Sequence, residues 1–367
     1  MIYLDHNATT PLDDRVLEAM LPFLKTFYGN PSSLYRHGRV ASSAIATARE
    51  QLAALVGVQS GQIIFTSGGT EANNLALATL APKTGLAVSA IEHPSIIEPA
   101  LYLKSLGHEL SLLNVDASGL ITQEAIDDVI ALKPDLVSMM LANNETGVVQ
   151  NIADYASQLR AHGIRIHTDA VQALGKIPVD FNRLGAHLMS LSSHKIYGPK
   201  GCGALVFDKS VELKPILRGG GQEQGLRSGT ENVAAIVGFG KAAELAKNEL
   251  AERHVQLLKL RVFLEHGLSA VSGLTIFAGQ VERLPNTVQM GIDERDGEML
   301  LMQLDQKSIA VSSGSACASG IREPSPVLVA MGVDPVQAKT AIRISLGVSN
   351  TEAEIVEFIK QLKFLIG

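Results

Sequence analysis

Residues 188–205 read LMSLSSHKIYGPKGCGAL, in which two apolar runs flank a polar turn. Residues 187–191 predict a buried strand, and residues 204–207 predict the next one. Lys195 comes just after the first strand, and parallel α/β sheets carry their binding and catalytic residues just past the carboxyl ends of their strands. A lysine with a lowered pKa forms Schiff bases with carbonyl groups, although an ordinary loop lysine is simply solvated. The stretch therefore predicts a parallel sheet and makes Lys195 a candidate catalytic residue.

The composition narrows the class of protein. The chain has 367 residues, of which 46% are hydrophobic and 19% charged, so it can form a sizeable core. Aromatic residues make up only 4% and tryptophan is absent, which predicts an aliphatic core as in parallel sheets. A net charge of −6 and the lack of a basic run argue against a nucleic-acid surface.

Two cysteines far apart in sequence, Cys202 and Cys317, provide neither a disulfide framework nor a zinc site, and we predict no metal. The first residues lack the basic and apolar regions of a signal peptide. No apolar run reaches the roughly 18 residues of a membrane span. These features predict a cytoplasmic protein with reduced thiols.

Strands and helices alternate through the first part of the chain. The predicted strands cover residues 62–66, 86–90, 110–115, 136–141, 164–168, 187–191 and 204–207. The predicted helices cover residues 15–25, 36–56, 70–80, 95–106, 122–132 and 152–161. Alternation at this spacing indicates an α/β fold with a mainly parallel, doubly wound sheet.

The pattern changes near residue 231. A long helical region runs to residue 268, followed by β-like segments at 274–277 and 287–290 and a helix at 297–303. A strand at 341–346 and a closing helix from residue 351 complete the chain. We predict a large domain of residues 13–255 and a smaller α+β domain of residues 1–12 and 256–367.

The segment TSGGTE, residues 66–71, lies between a predicted strand and a predicted helix. Gly69 lets backbone N–H groups approach an anion at the positive helix end, and Thr70 adds a hydroxyl donor. A phosphate site and an ordinary capped helix start fit this segment equally well. Walker A and GxGxxG signatures are missing, which disfavours a nucleotide-binding protein.

Four further polar residues follow predicted strands. Asp169 could hold a protonated ring nitrogen or simply cap a helix, and Gln172 lies three residues later. His93 could stack on a planar cofactor, although a lone histidine is more often a satisfied loop residue. Asn144 in NNETG could donate to a ring oxygen or a carboxylate, or belong to a turn.

Cys317 lies in SSGSACASG, residues 312–320, which predicts a flexible, exposed loop. An exposed thiol in such a loop is a liability unless its reactivity is used, the alternative being an incidental thiol. We interpret Cys202 as incidental. Arg343 lies within an apolar strand and needs an anion, either a bound carboxylate or a partner in an ion pair that stabilises the fold.

Ten stretches together resemble one family of enzymes. They are YLDHNATTP (3–11), YGNPSS (28–33), SGGTEANN (67–74), EHPS (92–95), NNETG (143–147), HTDAVQ (167–172), SSHKIYGPKG (192–201), RSGTEN (227–232), SSGSACAS (312–319) and AIRISLG (341–347). As a set they resemble pyridoxal-phosphate enzymes of fold type I, specifically the cysteine desulfurases (NifS/IscS-like, aminotransferase class V). The resemblance covers essentially the whole chain.

The resemblance implies that pyridoxal 5′-phosphate is the cofactor and assigns a role to each site residue. Lys195 binds the cofactor as a Schiff base and moves protons, and Cys317 attacks the sulfur of L-cysteine, leaving L-alanine and a persulfide. The ring contacts it implies are stacking by His93, pairing of the ring N–H by Asp169, and a contact to the ring oxygen by Gln172. The phosphate contacts it implies come from Gly69, Thr70, Ser192, His194 and, from the partner in a homodimer, Thr230. The substrate carboxylate contacts it implies come from Asn144 and Arg343.

The resemblance leaves several functions open. The chain ends soon after its last predicted helix, and the C-terminal segment with which IscS-type members dock a scaffold protein is expected to be absent. The sulfur acceptor is therefore open among iron–sulfur cluster assembly, tRNA thiolation and DNA phosphorothioation. A selenocysteine lyase, a class V aminotransferase and a sulfur carrier without catalysis are the alternative functions.

Overall fold

The computed structural model describes residues 1–313 and 323–367. Its strands are β1 (Ile2–Tyr3), β2 (Ile63–Thr66), β3 (Gly85–Ser89), β4 (Glu109–Leu113), β5 (Leu136–Ser138), β6 (Arg165–Asp169), β7 (Leu188–Ser192), β8 (Gly203–Phe207), β9 (Leu274–Ile276), β10 (Thr287–Ile292), β11 (Ile309–Ala310), β12 (Ser312–Ser313) and β13 (Ile342–Ser345). Its helices are α1 (Asp14–Lys25), α2 (Arg36–Val56), α3 (Gly69–Leu77), α4 (Pro94–Ser105), α5 (Gln123–Leu132), α6 (Ile152–Ala161), α7 (Phe181–Leu184), α8 (Val233–Leu268), α9 (Gly297–Gln306), α10 (Pro326–Ala330), α11 (Pro335–Ala338) and α12 (Glu352–Ile366). None of the helices described is long and apolar enough to cross a membrane.

The main sheet has seven strands in the order β2-β8-β7-β6-β5-β3-β4. Strand β8 runs antiparallel to both of its neighbours, β2 and β7. The strands from β7 to β4 pair in parallel. The predicted mainly parallel sheet is therefore confirmed, and β2, β3, β5, β6 and β7 all end at the same edge.

Alternating side chains of the sheet supply an aliphatic core on each face. Leu86 and Val88 of β3 pack with the buried side chains of α3 and α4. Ala87, between them, belongs to the core on the opposite face, with side chains of α2, α5, α6 and α8. Burial on both faces explains why the strands are continuous apolar runs without alternation.

Helix α2 occupies the predicted residues 36–56. Its buried positions repeat at helical spacing, from Ala41 through Ile45, Ala48 and Leu52. The helix ends at Gly57, which adopts the left-handed conformation with φ 74° and donates its N–H to the Ala53 carbonyl. Glycine takes this conformation without the strain that a Cβ would cause, so the end of α2 follows directly from the sequence.

Helix α8 runs for 36 residues and contributes to two cores. Residues such as Phe239 and Ala243 belong to the core of the main sheet. Leu257 and Leu264 belong to a second core, which β10, β13 and α12 complete. The predicted boundary at residue 255 thus lies inside one continuous helix, and the division into two domains stays a prediction.

A second sheet has four antiparallel strands in the order β12-β13-β10-β9. Ser312 pairs with Arg343 and is buried. The prediction of an exposed loop from residue 312 is therefore wrong for residues 312–313, because these two residues pair with β13 as an added strand of the sheet. The N-terminal arm joins this part of the fold, since β1 pairs with β11 and Asp5 bridges to Ser345.

Candidate active site

The candidate residues lie past the carboxyl ends of five parallel strands. Gly69 follows β2, His93 follows β3, Asn144 follows β5, Asp169 ends β6, and Lys195 follows β7 in a 3-10 turn. Because these strands end at one edge of the sheet, five separate segments of the sequence meet there.

An anion cradle, formed by Gly69, Thr70 and Ser192, lies where α3 begins. A Cβ added to Gly69 would lie 3.6 Å from the Ser192 Cβ and 3.0 Å from the Val171 Cγ2, so the α3 N-terminus closely faces β7. The Ser192 hydroxyl is buried and lacks a hydrogen-bond partner among the described residues. A buried hydroxyl left unpaired costs about 1–3 kcal/mol, and an anion held by the first N–H groups of α3 would remove that cost.

A cavity of about 540 Å³ opens beside the cradle, between the starts of α3 and α4. Its lining comprises Thr70, Asn74, His93, Pro94, Ser95, Glu98, Pro99 and Tyr102. Two of the predicted site residues, Thr70 and His93, therefore line one cavity.

His93 caps the N-terminus of α4. Its Nδ1 accepts from the Ser95 backbone N–H at 3.1 Å. Burial lowers the pKa of His93, the Asp169 carboxylate offsets part of that shift, and the Lys195 ammonium lowers it further. The ring is thus neutral with its proton on Nε2, and Asp169 and Lys195 each lie within electrostatic reach of His93.

Asp169 is 6% exposed and accepts two hydrogen bonds. Its Oδ1 accepts from the Val171 N–H at 2.9 Å, and its Oδ2 accepts from Asn73 Nδ2 at 2.7 Å. Residues 171–176, directly after Asp169, form turns and not a helix, so the helix-cap alternative does not apply. Asn73 also donates to Ser95 Oγ at 2.7 Å, and Ser95 contacts the His93 ring. A chain of hydrogen bonds therefore fixes Asp169 relative to His93.

Lys195 and Gln172 meet at the backbone carbonyl of Asn7. This oxygen accepts from Lys195 Nζ at 2.5 Å and from Gln172 Nε2 at 2.9 Å, and Lys195 also donates to the Ala8 carbonyl at 2.8 Å. Asn7 is 1% exposed and its Nδ2 donates to Thr287 Oγ1. The N-terminal arm thus supplies acceptors for both residues.

Arg343 forms an ion pair with Asp5, Nη2 to Oδ1 at 2.7 Å, and donates to the Asn144 backbone carbonyl at 3.0 Å. Of the two interpretations of Arg343, the ion pair that stabilises the fold is therefore present. Its Nε is buried without a hydrogen-bond partner in the described chain, which leaves a donor for a carboxylate.

The remaining candidates lie around these groups. His194 Nδ1 lies 3.2 Å from Thr9 Oγ1, and burial with the nearby Lys195 and Lys200 ammonium groups lowers its pKa to about 4. Thr230 is exposed. Three residues before it, Arg227 forms an ion pair with Glu71 in the first turn of α3.

Of the two cysteines, Cys202 lies in the described part of the chain and is buried. Cys202 is 2% exposed, and burial raises the pKa of its thiol to about 12. A thiol that stays protonated is a poor nucleophile, which supports its interpretation as incidental. Cys317, the predicted nucleophile, lies outside the described residues.

Sequence reasoning missed Asn7 and Asn73. Both lie in stretches that carry the family resemblance, YLDHNATTP and SGGTEANN. A signal for Asn73 was available, because a residue four positions after Gly69 lies on the same face of α3 and points toward the sheet. Asn7 offered no periodic signal, since it lies in irregular chain far from its partners in sequence.

Comparison with known proteins covers essentially the whole chain. The family described as aminotransferase class V matches residues 2–358. The chain is 41% identical to the cysteine desulfurase IscS of Dictyoglomus turgidum over 360 residues, which is 96% of this chain and 91% of the relative. The NifS-like protein of Rickettsia africae superimposes with a TM-score of 0.92 at 37% identity, over 100% of this chain and 99% of the other. A structure of SspA in complex with cysteine superimposes with a TM-score of 0.83 at 32% identity, over 96% of this chain and 100% of the other.

Proposed function

The chain belongs to the aminotransferase class V family, and from this premise we propose that it binds pyridoxal 5′-phosphate at the sheet edge and removes sulfur from L-cysteine. It is a pyridoxal-phosphate-dependent cysteine desulfurase that supplies sulfur. The observation that carries the proposal is the convergence of Lys195, Asp169 and His93 beside the anion cradle.

The residues present fit this cofactor. The unpartnered Ser192 hydroxyl and the first N–H groups of α3 suit a phosphate. The buried Asp169 carboxylate suits a protonated ring nitrogen, and the neutral His93 ring suits stacking on a planar ring. Lys195 supplies the amine that a carbonyl group requires.

When bound, the cofactor supplies an aldehyde that captures amines and a ring that acts as an electron sink. The Asp169 carboxylate, fixed by Val171 and Asn73, would pair with the ring N–H, and its negative charge would favour the protonated nitrogen. Lys195 accepts and returns the proton at the substrate α-carbon, and Arg343 orients the substrate carboxylate together with Asn144.

Sulfur leaves through Cys317 in this proposal. The Cys317 thiolate attacks the substrate sulfur, a new S–S bond forms, and the C–S bond of the substrate breaks. The electron pair of the C–S bond returns to carbon, which is protonated to give L-alanine. The sulfur remains as a persulfide on Cys317 until an acceptor protein takes it.

Several partners belong to the same proposal. Thr230 would reach the phosphate of a second copy in a homodimer, so both active sites would need the dimer. The acceptor would be a scaffold or carrier protein for iron–sulfur clusters or for thiolated cofactors and nucleic acids. The cytoplasmic location also stays a prediction.

The first test is direct product analysis. The purified protein should release L-alanine from L-cysteine, with sulfide in the presence of a reductant, and mass spectrometry should find one extra sulfur on Cys317. With selenocysteine as a parallel substrate, the rate of alanine release should not greatly exceed the rate from L-cysteine. Alanine without a modified Cys317 would contradict the persulfide step, and pyruvate or a transaminated product would favour the class V aminotransferase.

Gly203→Ala should weaken pyridoxal-phosphate binding about tenfold, the equivalent of one lost hydrogen bond. The added Cβ would lie 2.5 Å from the Gly68 carbonyl carbon and 2.7 Å from its Cα, both backbone atoms, so the substitution pushes the cradle away from β8. A cofactor titration monitored by visible absorbance gives the dissociation constant.

The matched control is Gly61→Ala, because a Cβ there would meet no atom within 4 Å. Equal affinities for the two variants would show that the cradle does not hold the phosphate.

A further inference from the structure

Lys176 is a buried amine beside the active site that the proposed mechanism does not use. It is 5% exposed and donates two hydrogen bonds, to Asn7 Oδ1 at 2.9 Å and to Gln172 Oε1 at 2.8 Å. Burial lowers the pKa of Lys176 well below its usual value, and repulsion by Lys195 and Arg343 lowers it further. Two of its N–H groups are therefore engaged by acceptors from Asn7 and Gln172.

The second acceptor determines how Gln172 is oriented. A glutamine amide can flip by exchanging its oxygen and nitrogen. Here Oε1 is held by Lys176, and one hydrogen of Nε2 goes to the Asn7 carbonyl. Within residues 1–313 and 323–367, the second N–H of Gln172 is the polar hydrogen of the amide left for another group.

We propose that Lys176 is a positioning residue that fixes the Gln172 amide so that it presents an N–H, and not its oxygen, to the ring oxygen of pyridoxal phosphate. The inference rests on the proposed function, which places Gln172 at that ring oxygen. A flipped amide would put two oxygens against each other and lose the donor.

The same contacts connect Lys176 to the catalytic lysine. The backbone carbonyl of Asn7 accepts hydrogen bonds from both Gln172 and Lys195. The side-chain Oδ1 of Asn7 accepts from both Lys176 Nζ and Asn286 Nδ2. Lys176 therefore holds the side chain of Asn7, and the backbone carbonyl of the same residue accepts from Lys195.

Other charged and titratable groups around Lys176 are few in the described chain. Lys195 and Arg343 repel the ammonium form of Lys176. The charge of Lys176 in turn contributes to the lowered pKa of His6. His254 Nδ1 lies 3.1 Å from the Lys176 backbone carbonyl and does not contact the amine. Within residues 1–313 and 323–367, no carboxylate accepts a hydrogen bond from Lys176 Nζ.

The test is the pH dependence of the visible absorbance of the bound cofactor in Lys176→Met. A hydrogen-bond donor stabilises the negative ring oxygen and so favours the deprotonated form. Losing the donor should therefore raise the pH midpoint by about half a unit or more and weaken cofactor binding about fivefold. Lys209→Met is the control, because Lys209 is an exposed lysine outside the site that donates a hydrogen bond to Gln59 Oε1.

A double-mutant cycle with Gln172→Ala tests the route of the effect. If Lys176 acts through Gln172, then Lys176→Met should cause no further shift of the midpoint in the Gln172→Ala background. An unchanged midpoint in the single variant, or an equal shift in both backgrounds, would overturn the proposal. If Lys176→Met does not fold, Lys176→Gln keeps a donor and should show a smaller shift. If neither variant folds, Lys176 serves folding and the proposal is overturned.

The proposed function fails separately from this inference. A wild-type protein that shows no visible absorbance with added pyridoxal phosphate would sink the cofactor assignment. A wild-type band that titrates normally, with Lys176→Met matching it, would remove only the role of Lys176.

Discussion

Lys195→Ala should lose at least about a thousandfold in alanine production from L-cysteine, as expected when a residue that both binds covalently and transfers protons is removed. The amine lies within electrostatic reach of His93 and is held by the carbonyls of Asn7 and Ala8 at the end of β7. Initial rates measured with saturating cofactor give the loss. The visible absorbance typical of lysine-bound cofactor should disappear as well.

Lys209→Ala is the control for Lys195→Ala, since it removes an exposed lysine outside the site. The cradle and Asp169 are untouched in Lys195→Ala, so the variant should still bind cofactor noncovalently. An active Lys195→Ala protein with unchanged absorbance would show that another group forms the covalent link.

The fold was predictable from sequence wherever one local rule decided it. Helix α2 shows helical periodicity and a terminal glycine, and the structure places it at the predicted residues. Strand ends were less certain. Strand β5 spans Leu136–Ser138, whereas the apolar run predicted residues 136–141. Met139 and Leu141 remain buried and still donate their N–H groups to carbonyls of β6, so the apolar run alone does not mark where the strand ends.

The site was predictable where a residue follows a strand, and not where it depends on contacts distant in sequence. Asp169 ends β6 and Lys195 follows β7, so the alternation of strands and helices alone predicted that both lie at the same sheet edge. Asn7 lies in irregular chain, and its partner Thr287 is 280 residues away. No local pattern encodes such a pair, because its geometry exists only after the two parts of the chain have packed.

Arg343 shows why residue type alone left alternatives open. A buried guanidinium needs an anion, and the sequence could not say which one. The structure supplies Asp5 from the N-terminal arm, with Arg343 Nε left for a further acceptor. Both interpretations of Arg343 are therefore compatible in one side chain, since its planar group carries five N–H donors.

Cys317→Ser should lose at least about a thousandfold in alanine formation, and it should fail at a different step from Lys195→Ala. Serine has nearly the same size, but its hydroxyl does not ionise near neutral pH, whereas sulfur transfer requires a thiolate. The cofactor residues Lys195, Asp169 and His93 are unchanged in this variant. The visible absorbance of the bound cofactor should therefore persist and should still respond when L-cysteine is added.

Cys202→Ala is the matched control for Cys317→Ser. The Cys202 thiol is buried, and its pKa is raised to about 12, so it should take no part in sulfur transfer. The Cys202→Ala protein should therefore acquire the persulfide mass on Cys317 and release alanine as the wild type does. If Cys317→Ser kept full activity with cysteine, the substrate sulfur would leave without attack by Cys317, and the persulfide step at this residue would be excluded.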